Sequence, residues 1–155
     1  MARMTDFSEA EQHHHLDKIK DFPDFGETPF VAGSALTKRR VAIVTTAGLH
    51  LRGDRPFDSG AADYRVIPGD APAADLIMSH LSVNFDRTGF QEDINVVFPL
   101  DRLRELAAEG VVDSVAEIHY SFMGATQMRA LEAKARELAG LLKKDRVDAV
   151  LLSPV

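Results

Sequence analysis

Four successive apolar residues, Val41-Ala42-Ile43-Val44, interrupt an otherwise mixed sequence. An unbroken apolar run of this length is what a strand covered on both faces requires. Further strand candidates follow at Tyr64-Arg65-Val66-Ile67, Leu76-Ile77-Met78, residues 115–122 and residues 147–152. Between the later strands the period changes. Leu100, Leu103, Leu106 and Ala107 keep helical spacing, and Gly110 stands where such a helix would stop. Met128, Leu131, Ala135, Leu138 and Leu142 do the same, and Lys143 and Lys144 suit the negative end of the helix dipole. The order β-β-β-α-β-α-β predicts an α/β domain over residues 40–155. Its mostly parallel sheet is expected in a Rossmann- or flavodoxin-like three-layer layout.

Residues 1–39 read differently. Ser8 and Glu11 form a capping-box pattern for a short first helix, which Pro23 ends. Residues 22–36 carry two prolines, two glycines and three phenylalanines, and read as an arm held to the domain by its aromatics. No second domain and no internal repeat is evident.

Composition narrows the function classes. The 155 residues are 45% hydrophobic and 27% charged, enough for a core that needs no staple. The formal net charge of −6 argues against non-specific nucleic-acid binding. Lys38-Arg39-Arg40 and Lys143-Lys144 are short, solvated flanks. The absence of cysteine excludes disulfides and thiol chemistry within these residues and fits a cytoplasmic setting. No apolar run approaches the ~20 residues that span a bilayer. The acidic start is unlike a secretory leader.

In parallel sheets ligands bind outside the carboxyl ends of the strands. That rule selects residues 45–58, 79–95 and 121–125, and whatever follows Val155. Gly48 and Gly53 have P-loop spacing, but Asp54-Arg55 follow where a P-loop needs Lys-Ser/Thr. Neither a dinucleotide G-x-G-x-x-G nor a G-x-S-x-G elbow occurs. Ser79 and His80 are adjacent, so within one strand they would face opposite ways. His13-His14-His15 would not share a helix face. His50, His80 and His119, with Asp86 and Asp93, are types that bind zinc or non-haem iron, though at no tight ligand spacing. A hydrogen-bonded polar pocket is the plainer reading. Phe85, Phe90, Phe98 and Phe122 read as core or loop anchors, and Asn95 also suits a turn.

Several of these segments have a familiar wording. They are Val44-Thr45-Thr46-Ala47-Gly48-Leu49-His50, Gly53-Asp54-Arg55-Pro56-Phe57, Ser79-His80, the run D-I-N-V-V-F-P-L-D-R-L at 93–103, and H-Y-S-F-M-G at 119–124. From about Arg40 to Val155 the chain resembles the glycine/sarcosine/betaine reductase selenoprotein B family, which includes the selenoprotein subunit of D-proline reductase.

The resemblance implies reductive chemistry. A selenocysteine, or a cysteine in some members, attacks a substrate carbon or exchanges with a thiol partner. Its low pKa keeps it ionised, as for reactive thiolates. In amino-acid reductases a pyruvoyl group on a separate subunit holds the substrate amine. In such relatives the strand matching residues 148–155 is followed at once by the redox residue. The expectation is therefore a chain stopped at a UGA selenocysteine codon after Val155, with no cofactor of its own. The expected pocket is Thr45, Thr46, His50, Asp93, Asn95 and Ser121. His80 or His119 would assist as general acid or as an imidazolium beside a selenolate. The implied partners are a small-molecule substrate, a thiol reductant or redox protein, and a homodimer or hetero-oligomer, with neither nucleic acid nor membrane. The rival readings are a non-catalytic assembly subunit and a metal-dependent enzyme using the His/Asp cluster.

Overall fold

The computed structural model describes residues 3–20, 22, 24, 26–27, 32–82 and 87–155. The chain divides into two compact units, residues 1–30 and 31–155. In the first, helix α1 (Glu9–Lys20) is started by the expected capping box. The Ser8 hydroxyl and backbone N–H both donate to Glu11 Oε2, at 2.7 and 2.9 Å. Of the aromatic arm expected over residues 22–36, Phe22 is exposed, and Pro23, Phe25, Pro29 and Phe30 lie outside the described residues.

The second unit is the α/β domain. Strand β1 (Arg40–Thr45) occupies its centre. It pairs in parallel with β5 (Ser114–Val115) and β6 (Ile118–Ser121) on one side and with β7 (Ala149–Ser153) on the other. Strand β3 (Arg65–Pro68) closes the far edge, antiparallel to β6. Because side chains alternate along a strand, β1 serves two cores. Val41 and Ile43 pack with Leu100 and Leu103 of α3 (Leu100–Ala108). Val44 faces the other way, toward the cluster that includes Leu131 and Leu138 of α4 (Met128–Lys144). Both helices lie where the apolar spacing predicts, after the short α2 (Thr88–Glu92), and Gly110 takes the positive φ (74°) that favours glycine after a helix end.

Two strand expectations need correction. Leu76–Met78 (β4) is not in the main sheet. It pairs antiparallel with Leu49–Leu51 (β2), a strand hidden in a segment that reads as a loop. The strand expected at residues 64–67 forms as β3, an antiparallel edge of the mostly parallel sheet. Residues 115–122 do not form one strand. The pairing steps from Val41–Val115 to Val44–Tyr120, so the second strand carries two extra residues over the same stretch. That bulge leaves the Ile43 N–H without a backbone acceptor. The His119 side chain supplies one, its Nδ1 accepting at 3.0 Å.

Candidate functional site

The carboxyl edge of the sheet is built on a row of hydroxyls. Register places Thr45 beside Ser121 on one neighbour and Ser153 on the other. Each hydroxyl holds a loop. Thr45 Oγ1 accepts from the Ala47 N–H at 3.1 Å, and Ser121 Oγ accepts from the Leu49 N–H at 2.8 Å. Ser153 Oγ donates to the Val97 carbonyl at 2.9 Å. Thr45 and Ser121 are fully buried, so they fix the shape of the edge from beneath. Thr46 follows and closes on the end of β7. Its Oγ1 accepts from the Val155 N–H at 2.8 Å and donates to the Val155 carbonyl at 3.3 Å.

His80 enters this edge from the end of β4. The Ser79 N–H donates to the Gly48 carbonyl at 3.0 Å. Ser79 Oγ accepts from the Phe57 N–H at 2.9 Å, tying the 53–57 loop to the same point. The His80 ring is 4% exposed. Its Nδ1 accepts from the Ser82 N–H at 3.2 Å, which puts the neutral ring's proton on Nε2. Burial, with the Arg87 guanidinium second, holds its pKa below the ordinary imidazole value. Arg87 also donates to the His80 carbonyl. His80 Nε2 and the Val155 carbonyl oxygen both lie within 3.1 Å of the point a Gly124 Cβ would occupy. The edge therefore brings Thr46, His80 and the end of β7 into one corner.

The other candidates stand elsewhere. His119 is committed to the β1 ladder, and its ring packs edge-on against Phe98 at 5.5 Å. His50 is buried on β2, and its Nδ1 donates to the Leu51 carbonyl at 2.7 Å. Asp93, exposed, and Asn95, half-buried, form a cap. Asp93 Oδ1 accepts from the Asn95 backbone and side-chain N–H groups, both at 2.9 Å, and these bonds hold its carboxyl below the usual range. Asn95 Oδ1 accepts from the Asp101 N–H at 3.1 Å, near the start of α3. Asp86 and Phe85 lie outside the described residues. Among the described residues no three His, Asp or Glu side chains come together as metal ligands.

Arg65 is a structural residue the sequence does not reveal. Only 8% exposed, it binds Asp63 Oδ2 at 2.8 Å and the Arg55 carbonyl at 2.9 Å, and lies 4.3 Å above the Phe57 ring centre. Its one sequence sign is Asp63, two residues earlier. An open groove of about 610 Å³ runs past it, lined by Leu51, Asp54, Tyr64 and Val66 among others. None of the expected pocket residues lines that groove, and both of its arginines are already paired, Arg65 with Asp63 and Arg55 with Asp58.

Fold and edge together define an α/β domain whose parallel strands carry a row of hydroxyls at their carboxyl ends. The sequence profile of the glycine/sarcosine/betaine reductase selenoprotein B family matches residues 22–155, and the chain belongs to that family. It is 42% identical to D-proline reductase subunit gamma of Acetoanaerobium sticklandii, over 73% of this chain and 47% of the relative. It is 35% identical to glycine reductase complex component B subunit gamma of Symbiobacterium thermophilum, over 76% and 29%. Sarcosine reductase complex component B subunit beta of Peptoclostridium acidaminophilum matches at 34%, over 81% and 30%. The chain thus spans less than half the length of these relatives. No solved structure matches it. Among the described residues no helix is long and apolar enough to cross a membrane.

Proposed function

We propose that this domain is the pocket-forming part of a selenol- or thiol-dependent reductase component, of the glycine, betaine and D-proline reductase type, working within a multi-subunit complex. The observation that carries the reading is the corner shared by Thr46, His80 and the end of β7. A residue joined to Val155, two positions past the end of β7, would emerge near His80 Nε2. A selenocysteine or cysteine there would supply an anionic nucleophile able to exchange with a thiol partner. This chain's own residues prepare its surroundings. Thr46 holds the backbone of residue 155 from both sides. His80, neutral at pH 7, presents an N–H that can stabilise a developing anion or donate a proton. The buried hydroxyl row sets these groups before any ligand arrives. The substrate is then a small molecule. A thiol reductant or redox protein is the electron source. Where the substrate is an amino acid, a pyruvoyl group on another subunit would hold its amine.

One feature favours a second reading, that of an assembly subunit in the same complexes. Strand β7 leaves Val150, Leu151 and Leu152 exposed, on both of its faces.

The first reading is tested by joining a cysteine to Val155 and following its alkylation by iodoacetamide against pH. The expected thiol pKa lies below the free value of about 8.5, with alkylation at pH 7 several-fold faster than in a cysteine peptide. His80→Gln should return both to the peptide level. A thiol that behaves like the peptide, whatever stands at position 80, would leave the assembly reading in possession.

A further inference from the structure

We infer that Gly124 is a positioning residue of this edge: the missing side chain lets the carbonyl of residue 155 and the His80 imidazole occupy one corner. The inference rests on the carboxyl edge being the reactive site. It adds a residue that the pocket's hydroxyls and histidines do not account for.

A Cβ on Gly124 would stand 2.4 Å from the Val155 carbonyl oxygen, 2.9 Å from the Thr46 carbonyl oxygen and 3.1 Å from His80 Nε2. Real Cβ atoms essentially never come within 3.0 Å of another heavy atom, so something must move. The Thr46 oxygen is fixed, because it accepts the Gly124 N–H itself at 2.8 Å. The end of β7 is clasped by the Thr46 hydroxyl. The pieces left to yield are the last residue of the clasp and the imidazole.

The common reasons for glycine do not apply at this position. Gly124 is not in the left-handed region, so alanine meets no intrinsic backbone strain. It is exposed, so no core packing demands a small residue. What remains is the contact. A second glycine backs the same histidine. A Cβ on Gly48 would lie 3.1 Å from the His80 backbone nitrogen and 3.2 Å from its Cα. His80 therefore has one glycine behind its backbone and another before its ring, each from a different segment.

The test is the titration of the His80 ring, followed by NMR of its side-chain nitrogens in the chain extended by one alanine past Val155, so that residue 155 carries a carbonyl rather than a terminal carboxylate. In Gly124→Ala the ring is displaced from the corner and regains water. Its midpoint should rise toward the ordinary value, since burial is the main cause of its depression. Gly53→Ala is the control, because a Cβ there meets nothing within 4 Å. That variant should leave His80 unchanged. If Gly124→Ala does not fold, Thr46→Val opens the clasp without adding bulk, and the same upward shift is expected. A His80 midpoint unmoved in the folded variant overturns the inference. An unmoved midpoint beside a reactive appended cysteine defeats the positioning role alone. A moved midpoint beside an unreactive cysteine supports that role and defeats the reactive-site reading.

Discussion

Replacing Arg65 with methionine should destabilise the domain by about 2 kcal/mol, less than for a fully buried ion pair, because the guanidinium is buried but its partner Asp63 is 43% exposed. Methionine approximates the volume, so the loss is not mainly a cavity. It arises from what the guanidinium leaves behind. Asp63 loses its 2.8 Å partner, and its other oxygen, Oδ1, is already buried without one. The carbonyls of Arg55, Pro56 and Tyr64 lose their donor as well. Orphaned acceptors of this kind carry their full desolvation penalty. The effect should also travel. Phe57 sits under the guanidinium, and its N–H holds Ser79, which precedes His80. Arg65→Lys keeps the charge but not the planar fork, and should recover only part of the stability. Adding Asp63→Asn to Arg65→Met should also recover part, because the stranded carboxylate is then gone. Urea unfolding of the four proteins measures this. A methionine variant within about 0.5 kcal/mol of the parent, the usual range for an inconsequential surface change, would mean the clamp holds nothing.

The same residue shows where sequence stops being informative. Val41-Ala42-Ile43-Val44 announces a strand buried on both faces, and β1 is one, because continuous apolar character has few other uses. Helices α3 and α4 follow from spacing for a similar reason. The local pattern cannot say which strand accepts a given N–H. Residues 115–122 read as one strand because nothing in them signals that the ladder skips and that His119 fills the gap with a side chain. The Leu-His-Leu of β2 alternates correctly, yet three residues bounded by glycine-containing loops are too short to outweigh a loop reading. The candidate site divides along the same line. Serine, threonine and histidine near strand ends are legible as polar atoms at a sheet edge. Register alone determines that Thr45 and Ser121 turn inward onto loops while Thr46 and His80 meet at β7. Asp93 and Asn95 look like pocket residues by position and cap a helix by geometry, since a side-chain acceptor near free helix N–H groups satisfies them at once. Gly124 has no local explanation. Its reason is the carbonyl of Val155, far along the chain.

Acidification from pH 6.5 to 4 should remove about 3 kcal/mol of stability through His119 alone, taking about 1.4 kcal/mol per pKa unit. The ring is fully buried, and its pKa is pushed down from 6.5 to about 4. Burial is the main cause. The Arg104 and Arg40 charges add to it, and Asp145 opposes them. The sign follows from proton counting. Between these two values the unfolded chain binds a proton that the folded ring refuses, so acid favours unfolding. Above pH 6.5 both states are neutral and the full stability is present, and below about 4 the loss is complete. Geometry gives the same answer independently of the shift. Nδ1 accepts the Ile43 N–H at 3.0 Å, so protonation would set an N–H against an N–H inside the central strand. His80 has a depressed pKa too and contributes in the same direction, so the wild-type slope alone cannot isolate His119. His119→Asn can. Its Oδ1 stands as many bonds from the backbone as Nδ1 does and can keep the Ile43 acceptor, but it does not titrate. The variant should be less stable at pH 7, having lost the ring packed on Phe98. Its stability measured by urea unfolding should then fall less steeply between pH 6.5 and 4 than the parent's. Equal slopes would place the acid sensitivity elsewhere and make the buried imidazole a spacer rather than the titrating link between β1 and β6.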